Sequence, residues 1–156
     1  NISMRRLPKF LVALTLAGAA LTTQATAEII HKHSPHSVAV TIDRLQAAVE
    51  GAGATVFARV DHAAGAASAE MVLRPTQLLI FGNPKLGTPA MQQMQTAGLD
   101  LPLRVLAYEA EDGMVHVTYN NPADLAADHG LPADAPYLAM MTGALDKLTS
   151  KAIAQD

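Results

Sequence analysis

The sequence has no cysteine and no tryptophan, and only 4% of its residues are aromatic. The missing cysteine excludes disulfides, thiolate zinc sites, iron–sulfur clusters and cysteine nucleophiles. With so few aromatics, the 50% hydrophobic content rests on small side chains; 30 of the 156 residues are alanine. Charge is scarce as well. Charged residues make up 16% and the formal charge is −3. That is too modest for a disordered acidic tail and of the wrong sign for a nucleic-acid binder. The apolar run FLVALTLAGAAL, residues 10–21, is shorter than the roughly 20 residues that cross a bilayer.

That run has a different meaning. Arg5, Arg6 and Lys9 precede it, and TTQATA follows it with small residues at Ala25 and Ala27. A basic stretch, an apolar stretch and a small-residue site form the pattern of a secretory signal peptide, with cleavage expected after Ala27. Cleavage there takes away three of the 11 Lys+Arg and none of the 14 Asp+Glu. The mature chain then runs from Glu28 to Asp156, and its formal charge becomes −6. A periplasmic or secreted location is expected, without stable membrane insertion after cleavage. Negative charge argues against nucleic acid and anionic lipid as partners.

In the mature chain, residues 28–36 are polar and contain HKHSPH, which reads as a flexible His-containing segment. The single domain is expected over 37–156. SVAVT at 37–41 is β-branched and strand-like, and Thr41 is a candidate cap for a following helix. Ile42, Leu45, Val49 and Ala52 recur at helical spacing up to Gly51 and Gly53. TVFARV at 55–60 alternates as a half-buried strand does. The alanine-rich stretch 61–71 is a connection with at most a short helical turn. QLLIF at 77–81 is a nearly continuous apolar run, as expected of a strand buried on both faces.

A second helix is expected from Thr88, with Pro89 at its first position and Gly98 as its stop. Residues 103–110 and 114–120 flank Glu111-Asp112-Gly113 as a β-hairpin. A short helix is expected after Pro122. The last helix begins near Pro136, where Leu138, Met141, Leu145, Leu148 and Ala152 share one face. The order β-α-β-β-α-β-β-(α)-α, with its hairpin, predicts an α+β fold. It has two layers, a mainly antiparallel sheet with helices packed on one face.

Three stretches carry a resemblance: ATVFARVDHAAGA at 54–66, LRPTQLLIFGNPKLGTPAMQ at 73–92 and AGLDLPLRVLAYEAEDGMVHVTYNNPADLA at 97–126. Phe81-Gly82-Asn83-Pro84, then Gly87-Thr88, is their most specific motif. Together they resemble the family catalogued as domain of unknown function 302, over about residues 37–154. The resemblance implies a fold similar to that of the TATA-box-binding protein and a tendency to dimerise. It implies no activity and no DNA binding. Many members carry Cys-Asn-Pro and Leu-Pro-Cys where this chain has Gly82 and Leu103, so thiol chemistry suggested for them cannot operate here.

Several constellations are candidates for chemistry. Gly82 and Gly87 are spaced as in a phosphate-binding loop, but that motif needs Lys then Ser/Thr after the second glycine, whereas here Thr88 follows Gly87 directly and Lys85 lies inside the loop. Asn83, Lys85 and Thr88 remain candidates for a small anionic ligand at a helix start, against the plainer role of a shaped turn and cap. Asp61 and His62 are candidates for ligand binding or, with His62 as general base, for catalysis. The plainer role is a strand-end cap. His31, His33 and His36 form HxHxxH and are candidates for Cu(II) or Zn(II). His116 and His129 read as structural or surface residues. No serine lies in a nucleophile elbow, so enzyme activity is not favoured. The expectation is an exported, non-enzymatic homodimer that binds a ligand or partner through the Asp61-His62 loop and the Asn83–Thr88 loop. Metal binding by the N-terminal histidines and catalysis by His62 are the alternatives.

Overall fold

The computed structural model describes Gly18 and residues 27–156. The signal-peptide expectation falls on residues 1–27 and, Gly18 and Ala27 apart, lies outside the described residues. Five strands form one antiparallel sheet in the order β1-β5-β4-β3-β2. Its members are β1 (Ile29–Ser34), β2 (Thr55–Asp61), β3 (Thr76–Gly82), β4 (Leu103–Glu109) and β5 (Val115–Asn120). The helices are α1 (Val38–Gly51), α2 (His62–Ser68), α3 (Pro84–Gln93), α4 (Ala123–His129) and α5 (Pro136–Ile153), with a 3-10 turn at Gln95–Leu99. The result is the expected two-layer α+β arrangement.

The main core lies between the sheet and the pair α1/α5. Ile42, Leu45 and Val49 of α1 and Leu145, Leu148 and Ala152 of α5 meet Leu79, Phe81, Val105 and Val117 of the sheet. The expected helical stripes are therefore the buried ones. A smaller core at one end joins Ala90 of α3, Ala97, Leu125 of α4 and Tyr137, Leu138 and Met141 of α5. Leu103 packs against both.

The polar segment expected to be flexible is edge strand β1. Alternation explains it: successive side chains of a strand point to opposite faces. On the helix side Ile30 joins the core. Lys32 Nζ donates to Asp146 Oδ1 (2.7 Å), Asp146 O, Thr149 Oγ1 and Ser150 Oγ of α5. Ser34 Oγ shares a 2.7 Å hydrogen bond with the buried Thr41 hydroxyl. Ile29, His31 and His33 face the other way.

SVAVT is not a strand. Ser37 is the cap of α1, its hydroxyl accepting the Val40 N–H at 3.2 Å, and helix begins at Val38. The cap bond and burial of Val38, Thr41 and Ile42 override the β-branched pattern. Helix α3 starts earlier than expected. Asn83, not Thr88, is its cap, Pro84 takes the first position, and Pro89 lies inside the helix. The C-terminus is tied down by Arg44, which donates to Ala152 O, Ala154 O and Asp156 Oδ1. That hydrogen bond, then the guanidinium charge, holds the Asp156 carboxyl below its usual range.

Strand β3 is not buried on both faces. Leu79 and Phe81 are fully covered, whereas Leu78 and Ile80 on the opposite face are half-buried. Leu106 and Tyr108 of β4 share that second face in register with Leu78 and Thr76.

Candidate functional site

A largely apolar cleft forms where β3 ends. Gly82 closes the strand, and a Cβ there would come within 3.3 Å of Pro102 Cβ, so glycine lets the 101–103 segment approach. Asn83 then turns the chain into α3. Its Oδ1 accepts the Lys85 N–H at 3.0 Å, and its backbone carbonyl accepts the N–H groups of Leu86 (2.9 Å) and Gly87 (3.1 Å). Pro84 has no N–H. The first turn of α3 therefore has no free donor left for an anion.

On the opposite wall, the register of β2 against β3 shifts between Val56 and Ala58. Phe57 is the extra residue of this bulge. A bulge re-aims a side chain, and here the Phe57 ring reaches the mouth of the cleft beside Gly82. The space measures about 230 Å³. Leu86, Gly87, Thr88 and Met91 of α3 form one side, Leu101, Pro102 and Leu103 another, and Met141 of α5 the floor. Its twelve lining residues include no ionisable side chain. Asn83 and Thr88 are its polar members. Gly82 and Leu103, where cysteine is expected in relatives, both line it.

The remaining candidates are elsewhere. Strands β2 and β3 are antiparallel, with Thr55 opposite Gly82 and Asp61 opposite Gln77. The Asp61-His62 turn thus lies at the other end of the sheet from the Asn83–Thr88 loop, and the two do not form one site. Asp61 caps α2 by accepting the Ala64 N–H at 2.9 Å. His62 is exposed and lines none of the three clefts described. Lys85 is exposed and does not line the cleft beside it.

His31, His33 and His36 do not converge. His31 and His33 project from one face of β1. His36 lies beyond it with Nε2 2.8 Å from Ala154 O at the end of α5. His129, read as structural, links two elements. Its ring joins Thr96 Oγ1 (3.1 Å) and Asp100 Oδ2 (2.5 Å), tying α4 to the 3-10 turn. Asp100 lines the second recess, whereas Thr96 and His129 line none of the three clefts, and the three side chains tether α4 to the 3-10 turn.

A second recess of about 120 Å³ is polar, lined by Asp100, Arg104, Asn121, Asp124 and Asp128 among others. A groove along residues 88–95 has a larger volume of about 590 Å³, but one stretch of chain makes it and it is open to solvent. A larger volume than the second recess, and a lining without charge drawn from several elements, single out the Phe57–Met141 cleft. Phe57, Met91, Leu101 and Met141 are not among the sequence candidates, because apolar residues give no signal that separates a cleft wall from core.

A family model and a solved structure agree with this architecture. The family model described as domain of unknown function DUF302 matches residues 30–148. A protein of Brucella suis named fluoride-specific ion channel FluC 1 is 45% identical over 137 residues, covering 77% of this chain and 54% of that protein. Its namesake from Brucella abortus matches equally, with 51% of its length covered. The chain spans about half the length of these curated relatives. The crystal structure of an uncharacterized conserved DUF302 protein from Bacillus stearothermophilus superposes with a TM-score of 0.63 at 16% identity. The match covers 80% of this chain and 94% of that one.

Proposed function

The chain belongs to the family catalogued as domain of unknown function DUF302, and within it we propose an exported, non-enzymatic binding domain that works as a homodimer. Its ligand is small, uncharged and mainly apolar, and it occupies the cleft between Phe57 and Met141. The observation that carries this is the lining. None of the twelve residues can donate or remove a proton near neutral pH, and none carries charge. An anion would find neither a cation nor a free helix N–H, since Asn83 takes the available donors. His62, the candidate general base, is at the far end of the sheet from this cleft.

The volume bounds the ligand. An apolar cavity of about 150 Å³ holds benzene. At about 230 Å³, the cleft suits one substituted ring or a short branched chain, with Asn83 or Thr88 meeting a single polar substituent. Export is supported by the leader pattern of residues 1–27.

The fluoride transport in the names of the Brucella relatives is not carried over. The chain matches only about half of those proteins, and no helix among the described residues is long and apolar enough to cross a membrane.

The test is a thermal-shift screen of small uncharged aromatic and branched aliphatic alcohols against the parent and Gly87→Leu. A Cβ at Gly87 meets only Leu101 Cδ1 and Met91 Cε, both at 3.8 Å, so the added side chain fills the cleft without displacing backbone. Compounds that raise the parent's melting temperature should leave Gly87→Leu unmoved. A hit that stabilises both proteins equally binds elsewhere and contradicts the proposal.

A further inference from the structure

The sheet face turned away from α1 and α5 is divided by chemistry. Toward β2 and β3 it is apolar, with Val60, Leu78 and Ile80. Toward β5 and β1 it carries imidazoles. His33 of β1 is directly opposite His116 of β5, and His116 is directly opposite Tyr108 of β4. The three rings form a row across adjacent strands. His33 and His116 have centroids 4.6 Å apart with planes tilted by 50°, and Tyr108 stacks on His116 at 5.2 Å and 20°. His31 is one repeat along β1 on the same face, opposite Thr118.

We propose that His33 and His116 form a two-imidazole chelate for a divalent transition-metal ion, with Cu(II) bound more tightly than Zn(II). Imidazole nitrogen bonds such ions at ~2.0–2.1 Å, so two rings held cis on one ion have centres roughly 4.5–5 Å apart. The observed 4.6 Å lies in that range. The paired strands fix the separation, and Tyr108 supports one ring from behind. Both donors are reachable, His33 being exposed and His116 half-buried. Among the described residues no three donors converge on one point. The remaining coordination positions therefore belong to water. Affinity for Cu(II) above Zn(II) follows the general order for nitrogen ligands.

This site differs from one made by the HxHxxH stretch acting as a peptide. It needs the folded sheet, it uses His116, and it leaves out His36, whose ring is engaged with Ala154 O. Calorimetric titration of Cu(II) and Zn(II) into the full chain, with thermal unfolding in parallel, separates the two. Expected is one ion per chain, with affinity weakened about tenfold or more in His33→Ala and in His116→Ala, because each loses the chelate. The double variant should lose little more than either single one, His36→Ala should bind like the parent, and Asn in place of either histidine should reproduce the loss. Bound ion should raise the parent's melting temperature and leave that of His116→Ala unchanged, since only a folded-state site is linked to stability. Parent-like affinity in His116→Ala, lost affinity in His36→Ala, or no saturable binding at all would each overturn the proposal.

Discussion

Lys32 illustrates how far a single residue's role depends on what faces it. Between two histidines in a polar stretch it looks like a solvated charge. In the fold its side chain is only 17% exposed and its ammonium donates to four oxygens of α5. Replacing it with alanine unpins β1 from α5 and leaves the buried Thr149 hydroxyl with fewer partners. Lys32→Ala should therefore cost about 1–2 kcal/mol, whereas His31→Ala, on the open side of the same strand, should stay within about 0.5 kcal/mol. Urea unfolding of the two variants measures both. Site residues are legible unevenly for a related reason. Asn83 and Thr88 stand out because turn and cap chemistry is written in residue type. Phe57 and Met141 do not, because their place on a cleft wall depends on a bulge and on a helix from a distant part of the chain.

Among the elements, α3 and α1 show caps deciding where helices begin. Each starts at the first residue after a side chain that satisfies an early N–H: Asn83 for α3 and Ser37 for α1. Proline at 84 and 89 and β-branching at 38, 40 and 41 suggest later starts for both, but a satisfied first turn outweighs these preferences. Asn83→Ala removes the cap of α3 and should lower stability by about 1 kcal/mol, while Asn83→Asp, which keeps the acceptor, should cost little. Paired denaturation curves compare them. The hairpin and α5 are fully legible, since an alternation around Glu111-Asp112-Gly113 and a long 3-4 stripe admit one assignment each. Strand β1 is not, because it acquires its register only by pairing with β5, from Ile29 opposite Asn120 to Ser34 opposite Val115. No local property of HKHS announces a partner so remote in the chain.

Among the described residues, the sheet is covered on one face and incompletely on the other. Leu78, Ile80 and Leu106 are only half-buried there. Helix α2 buries no residue, and Met71 and Val72, which follow it, are 66% and 101% exposed. The proposed homodimer would place a second copy of the chain on this apolar surface. Ile80→Glu/Leu106→Glu would set charges into that contact. Light scattering should report a dimer for the parent and a monomer for the double variant, with circular dichroism unchanged; a monomeric parent contradicts the dimer.

Methionine-methyl NMR probes occupancy of the cleft itself. Met91 and Met141 line the cleft, whereas Met71 and Met140 are exposed away from it. On titration with a small uncharged aromatic alcohol selected by the thermal-shift screen, the Met91 and Met141 methyl signals should shift saturably. Those of Met71 and Met140 should stay fixed, and Gly87→Leu should abolish the response. Shifts confined to Met71 or Met140, or saturable shifts at Met91 and Met141 that persist in Gly87→Leu, would contradict binding in the cleft.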